Sequence, residues 1–300
     1  MKRVLLLRDK GATTPIQKTW LALGEGVTEQ LKASTQVVTA HFGDLIYDAS
    51  DNNSKIIHAT HGWDISSFDL VIFRRVGKEI ELAMACAHYL EYKDVKYIDE
   101  YLSAPGKSKL VGSFLRVANG LPIPRTIYAQ PEIIIGLFSD NPPFKFPIIV
   151  KSDFGHKGKD NYLATSFKEL NDVFKKTSTP MIVQPYLEND GDYRLLILNG
   201  RLSLALFRRA SGGSHLNNIS VGGTATLEDA SSISSKITTD AVAAARLERL
   251  TVAGVDILID KHTGRHVILE VNRAPQISDG AFHEKKIIAY SEMIKELLES

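Results

Sequence analysis

Between residues 254 and 272 two runs alternate acid or amide side chains with branched apolar ones. They are Gly254-Val255-Asp256-Ile257-Leu258-Ile259-Asp260 and Ile268-Leu269-Glu270-Val271-Asn272. A period of two marks half-buried strands. The intervening Lys261-His262-Thr263-Gly264 is short and polar and closes on glycine, which predicts a hairpin turn. Pairing Asp260 with His266 sets Asp256 opposite Glu270 and brings Asn272 to the same face. Two carboxylates and an amide oxygen then converge beside an apolar layer, where like charges resist joint ionisation. A divalent cation removes that cost. Hard oxygen donors in this number suit Mg²⁺, which completes its shell with phosphate and water. A solvated hairpin face is the other reading of the same pair.

Composition limits what such a cation can serve. The 300 residues leave room for roughly two domains of ~100–200 residues. With 44% hydrophobic and 24% charged residues the chain reads as a globular protein with a sizeable core. A net charge of +1 excludes a general polyanion-binding surface, so nucleic acid is not expected as a main ligand. The single cysteine, Cys86, sits in the apolar run Leu82–Ala87 and reads as a small buried helix residue. One cysteine allows no intrachain disulfide and fits a reducing compartment. No segment approaches the ~20 apolar residues of a membrane helix, and the apolar run near Met1 is too short for a signal peptide. A cytoplasmic protein without a membrane partner is expected.

Three parts are expected, with bounds 1–103, 104–187 and 188–300. In the first, strands at Val4–Leu7, Gln36–Ala40, Asp69–Phe73 and Val95–Ile98 alternate with helices at Gln17–Lys32 and Lys78–Tyr92, which implies a parallel sheet. Arg74 and Arg75 end a strand where open α/β sheets place ligands, so they are candidates to face a substrate carboxylate. The second part opens with a helix that has Pro105 in its first turn and Gly120 beyond its end. Leu110, Val111, Phe114, Leu115 and Ala118 form its expected core stripe, opposite Lys109, Ser113 and Arg116. The strand Phe146–Lys151 then runs into the basic, glycine-containing loop 152–160, of a kind that folds over phosphates. In the third part Asn199-Gly200 joins two strands as a hairpin. A glycine- and amide-rich loop spans 211–224, Asp240–Leu250 is helical, and Lys285–Leu298 reads as a core-packed helix.

The order of these features carries more information than any one of them. A helix lysine, a strand-end lysine with a glycine loop, Gln184-Pro185-Tyr186-Leu187-Glu188, Asp192-Tyr193-Arg194 and the acidic hairpin follow one another from Lys109 to Pro275. This series resembles the ATP-grasp superfamily, most closely its RimK-like branch of carboxylate–amine (glutamate) ligases, near the glutathione synthetases. The resemblance implies a mixed α/β and α+β architecture, an ATP-grasp fold preceded by a parallel pre-ATP-grasp α/β domain (1–103). The small lid subdomain would be 104–187, and the C-terminal subdomain with the Mg²⁺ site 188–300. By the same resemblance Lys109 and Lys151 contact nucleotide phosphates, and Gly155 and Gly158 belong to a flap over them. Gln184, Pro185, Tyr186 and Leu187 form the adenine hinge, with proline where the family usually carries an acid, and Asp192 contacts nucleotide. Arg194, Arg208 and Asn218 stabilise the reacting groups, and Asp256, Glu270 and Asn272 hold the metal.

The implied activity is ATP-dependent amide or peptide bond formation through an acyl phosphate, releasing ADP and phosphate. ATP and Mg²⁺, with Mn²⁺ as a substitute, are the implied cofactors. The implied partners are small-molecule, peptide or protein-tail carboxylates and amines, in a chain that is free to form homo-oligomers. Two alternatives remain at this point, a kinase phosphorylating a hydroxyl and a non-catalytic ATP-binding module. Ser220-Val221 and Arg273-Ala274-Pro275-Gln276 depart from the family on its substrate side, so the sequence leaves the substrates open, along with the roles of Arg74, Arg75 and Arg273.

Overall fold

The continuous apolar run near the N-terminus becomes β1 (Lys2–Arg8), the centre of a parallel sheet. The computed structural model describes residues 1–10, 14–50, 54–99, 108–154, 160–177, 179–211 and 223–300. After β1 come α1 (Thr14–Leu31), β2 (Thr35–His41), β3 (Leu45–Asp48), β4 (Lys55–His58), β5 (Leu70–Phe73), α2 (Ile80–Tyr92) and β6 (Tyr97–Ile98). The sheet order is β2-β1-β5-β6, all parallel, as the alternating pattern implies. Alternation divides β1 between two cores. Leu5 and Leu7 meet Cys86, Ala87 and Leu90 of α2, while Val4 and Leu6 meet Trp20, Leu23 and Val27 of α1. The separate β3–β4 hairpin is a feature the sequence reading did not anticipate.

The middle of the chain holds α3 (Lys109–Ala118), α4 (Pro131–Asp140), β7 (Ile148–Ser152), β8 (Asn161–Ala164), α5 (Phe167–Lys176) and β9 (Met181–Pro185). Its three strands form an antiparallel sheet in the order β8-β7-β9, covered by Ile134 and Phe138 of α4 and Leu170 of α5. Pro105 and the proposed first turn lie outside the described residues. The described helix begins at Lys109, with Ser108 as its N-cap accepting from Val111 N–H at 3.1 Å. Its expected polarity is inverted. Gly112, Ser113 and Arg116 are buried, whereas Val111, Phe114 and Val117 are exposed, Phe114 by 71%. The physical reason is that polar bonds dock this helix. Asp153 accepts from Ser108 Oγ at 2.7 Å and from Leu110 N–H at 2.8 Å, and Arg116 Nη1 donates to Glu248 at 2.8 Å.

The last part holds β10 (Asp192–Leu198), β11 (Arg201–Arg209), β12 (Thr224–Glu228), α6 (Ser235–Leu247), β13 (Val252–Ile259), β14 (His266–Asn272) and α7 (His283–Glu299). The five strands make an antiparallel sheet in the order β12-β11-β10-β13-β14. Asn199 and Gly200 turn β10 into β11 with positive φ of 47° and 72°, the geometry that makes Asn-Gly so strong a hairpin signal. One face of this sheet packs Leu195, Ile197, Val255, Ile257 and Ile268 on Ala241 and Ala244 of α6. Leu196, Leu198 and Val252 instead share a core with α1 and with Tyr290, Met293 and Ile294 of α7. The C-terminal helix therefore closes the α1 side of the N-terminal sheet, and both ends of the chain enter one apolar cluster.

Candidate active site

Alternation along the five-stranded sheet collects the polar residues on the face opposite α6. Asp192 and Arg194 lie on β10, Arg208 on β11, Asp256 on β13, and Glu270 and Asn272 on β14. Asp256 pairs directly with Glu270, and Gly254 with Asn272, so the expected carboxylate pair forms. The register at the turn is one residue off the expectation, however. His266 opposes Ile259 instead of Asp260, and a bulge between Asp256 and Ile257 absorbs the difference. One extra residue on β14 lets Ile268 and Val271 both face α6 while Glu270 and Asn272 keep the other face.

Two arginines close on the acids. Arg194 is the register partner of Asp256 and donates to both its carboxylate oxygens, with Nη2 at 2.8 Å from Oδ2. Arg208 donates Nε to Asp192 at 2.9 Å and reaches Asp256 Oδ2 with Nη2 at 3.1 Å. Burial alone would raise Asp256, but Arg194 and Arg208 outweigh it and hold the carboxyl below its usual range. Asp192 goes the other way, raised by burial despite Arg208.

The lysines come from the middle part of the chain. Lys109 Nζ stands 3.8 Å from Glu270 Oε1 and donates to the Asp153 carbonyl at 3.3 Å. Desolvation lowers the Lys151 ammonium to about 8, against the pull of Glu270 and with the nearby charge of Lys109 adding to the shift. Three carboxylates (Asp192, Asp256, Glu270) thus face four cations (Lys109, Lys151, Arg194, Arg208), a surplus of one positive charge that suits an anionic ligand.

A metal fits this donor set within limits. Among the described residues no three His, Cys, Asp or Glu side chains form a metal-binding group. A cation here would draw two carboxylates and the Asn272 amide oxygen, whose Nδ2 is turned onto the Gly254 carbonyl at 3.2 Å. So small a protein contribution, all hard oxygen, fits Mg²⁺.

The hinge segment runs off the end of β9. Gln184 is buried, donates Nε2 to Thr126 at 2.7 Å and pairs with Ile149 of β7. Tyr186 N–H is engaged by the Pro147 carbonyl at 3.1 Å, and the Leu187 carbonyl accepts from Asn189 at 2.8 Å. The hairpin turn reaches this segment, with Lys261 N–H on the Glu188 carbonyl at 2.9 Å. Gly155, Gly158 and Asn218 lie outside the described residues.

Three residues stand differently from expectation or were missed. Arg74 is buried and donates Nη2 to the Pro275 carbonyl at 2.8 Å, so it braces a loop and does not stand open to a substrate carboxylate. Arg273 turns away, onto the Glu248 carbonyl at 3.1 Å. Asp153, read as part of a phosphate loop, caps the helix that carries Lys109; the signal available was Ser108, a good N-cap directly before Lys109.

A family model described as the RimK-like ATP-grasp domain matches residues 107–297. The chain belongs to this RimK-like ATP-grasp family. Among similar sequences is a probable alpha-L-glutamate ligase of Aeromonas salmonicida, 29% identical over 259 residues, covering 81% of this chain and 83% of that one. Another of the same description, from Alcanivorax borkumensis, is 31% identical over 219 residues and 70% of each chain. Among solved structures the ATP-grasp ligase PsnB, complexed with minimal precursor, Mg and ADP, aligns with a TM-score of 0.73 at 14% identity. That alignment covers 99% of this chain and 98% of PsnB. D-alanyl-alanine synthetase A of Vibrio cholerae aligns with a TM-score of 0.67, also at 14% identity, over 99% and 97% of the two chains. Such identities speak for the fold, which is the ATP-grasp fold expected. No helix among the described residues is long and apolar enough to cross a membrane.

Proposed function

We infer that this chain is an ATP-dependent ligase joining a carboxylate to an amine, with Mg²⁺ as its metal and L-glutamate as the first amine to test. The observation that carries this is one sheet face on which Arg194, Asp256 and Glu270 meet Lys109 from α3. The glutamate choice is supported by relatives described as probable alpha-L-glutamate ligases. A peptide or protein tail as the carboxylate source is supported by ligases of this fold solved with precursor peptides.

The division of labour follows from charge and reach. Asp256, Glu270 and Asn272 would hold Mg²⁺, which when bound neutralises triphosphate oxygens. Lys109 and Lys151 bind phosphate. Adenine is held by main-chain groups of the hinge Gln184, Pro185, Tyr186 and Leu187, Pro185 contributing a carbonyl only. Asp192 acts through Arg208, which it orients. A carboxylate oxygen attacks the γ-phosphorus and ADP leaves; the amine nitrogen then attacks the acyl carbon, loses a proton, and phosphate leaves. The first step asks for positioning and charge neutralisation, and the second for stabilisation of an oxyanion, the role given to Arg194. Gly155 and Gly158 as flap and Asn218 as a second stabiliser rest on the sequence resemblance, as does the division at 103 and 187.

Incubation with Mg-ATP, L-glutamate and a panel of carboxylates, read by mass spectrometry, tests this. ADP, phosphate and a coupled amide are expected, with a hydroxamate when hydroxylamine replaces the amine. AMP with pyrophosphate overturns the reading. A stable phosphorylated acceptor without hydroxamate selects a kinase instead.

A further inference from the structure

The segment 273–280, which follows Asn272, is gripped by two cations, one from the end of β5 and one from the helix that follows the segment. Arg74, at the end of β5, is 6% exposed, bonds the Pro275 carbonyl at 2.8 Å, and lies 5.4 Å over the ring of Tyr290. Lys286, in the first turn of α7, is also 6% exposed and donates Nζ to the Gln276 carbonyl at 2.9 Å and the Asp279 carbonyl at 2.7 Å. Burial lowers this ammonium to about 8. Taking two cations out of water is costly; beside the field of the buried Asp99 carboxylate at Arg74, the two cations bond three backbone carbonyls of one short loop.

That loop abuts the site at a point of close contact. A Cβ on Gly254 would lie 3.0 Å from Pro275 Cβ and 3.2 Å from Arg194 Cδ. Glycine at 254 therefore lets Pro275 and the Arg194 side chain both close on the same strand position.

We propose that Arg74 and Lys286 are positioning residues that fix the 273–280 loop against Gly254 and so shape the subsite where carboxylate and amine meet beside Arg194. Neither touches the reacting atoms; each acts through backbone carbonyls, which leaves the loop side chains to vary with substrate. The proposal deepens the ligase reading and rests on it for the word subsite, but the placement of the loop does not.

Hydrogen exchange of the full chain, read by mass spectrometry, tests the placement without turnover. In Arg74→Met and in Lys286→Met, amides of 273–280 should exchange at least roughly tenfold faster, the factor for losing one charge-assisted hydrogen bond. The β10 and β13 amides and the ADP–Mg²⁺ affinity should stay as in the wild type. Lys286→Arg and Arg74→Lys, which keep the charge, should recover part of the protection. With L-glutamate as the probe in ADP release, both methionine variants should raise its KM by roughly tenfold while leaving the KM for ATP unchanged. Wild-type exchange at 273–280 in both variants, equal loosening of β13, or KM values for ATP and L-glutamate rising together overturns the proposal. A wild-type enzyme that never turns over L-glutamate rejects that amine, and the exchange result still decides the loop.

Discussion

Arg194 and Asp256 are direct register partners on neighbouring antiparallel strands, and the guanidinium engages both oxygens of the carboxylate. The residue assigned to the oxyanion is thus already bonded to the residue assigned to the metal. The two tasks compete for one side chain. Arg194→Met should lower single-turnover amide formation by about 10²–10³-fold, the loss typical of removing one charge-stabilising donor. It should also tighten Mn²⁺ binding to the nucleotide-free protein, followed by electron paramagnetic resonance, because a competitor for Asp256 is gone. Weaker Mn²⁺ binding in that variant would contradict this account of the pair.

Glu270 stands apart from the arginine pairs, with Lys109 Nζ at 3.8 Å as its ion-pair partner among the described residues. Glu270→Gln should leave the fold and melting temperature near wild type, since surface-type pairs contribute ~0–1 kcal/mol. Turnover should nevertheless fall by more than roughly 100-fold, beyond what loss of an outer-shell partner produces. Steady-state ADP release alongside thermal melting separates the two effects, and unchanged turnover refutes the metal assignment.

Arg116 and Glu248 form an ion pair at 2.8 Å in which both side chains are at least nine-tenths buried. Breaking one partner of such a pair strands the other charge, at a cost of about 3–5 kcal/mol. Arg116→Met is therefore expected to lower the urea midpoint strongly, and Glu248→Leu in the same chain to restore much of it. Additive losses in the double variant would show that the pair is not coupled.

Asp99 accepts from the amides of Thr251 at 2.7 Å and Val252 at 3.1 Å, and burial raises its carboxyl from 3.8 to about 6. The folded chain holds this proton more tightly than the unfolded one, so stability from this group is full below pH ~4 and is lost as pH rises through 6. A gap of about two units corresponds to roughly 3 kcal/mol. Asp99→Asn should gain on the wild type by that order between pH 4 and 7 in chemical denaturation. A difference that does not vary with pH would remove Asp99 as the cause.

Phe114 projects from α3 with 71% of its surface exposed, whereas Ser113 beside it is buried. Phe114→Ser should change stability by less than about 0.5 kcal/mol, as for other surface substitutions. Ser113→Leu should cost about 1–3 kcal/mol through overpacking. Thermal melts of the two variants check the inverted polarity of the helix.

That inversion marks where sequence reading stopped working. Periodicity located α3 correctly, yet it sent the apolar stripe inward, because the partners that hold the polar face lie far along the chain at Asp153 and Glu248. Local pattern contains no trace of them. Strand and hairpin positions were legible for the opposite reason. Val4–Leu7, Asn199-Gly200 and the alternation around Asp256 each encode their structure within a few residues. In the site, the shared face of Asp256, Glu270 and Asn272 was readable from period, whereas the bulge that sets Asp256 opposite Glu270 was not. Nor was the grip of Arg194 on Asp256, since it depends on β10 lying between β11 and β13. Arg74 was a candidate for a substrate carboxylate or a solvated strand end because its position at a strand end was visible, whereas its acceptor, the Pro275 carbonyl, lies 201 residues away.

The bulge beside Asp256 gives the hairpin two independent halves. Its inner half takes its alignment from Gly254 and Asn272, and its outer half from the turn, with Leu269 as the slack between them. The turn at 261–264 can therefore differ by one residue from the spacing that a regular ladder demands, while it keeps Lys261 on the Glu188 carbonyl, without sliding the two carboxylates past each other.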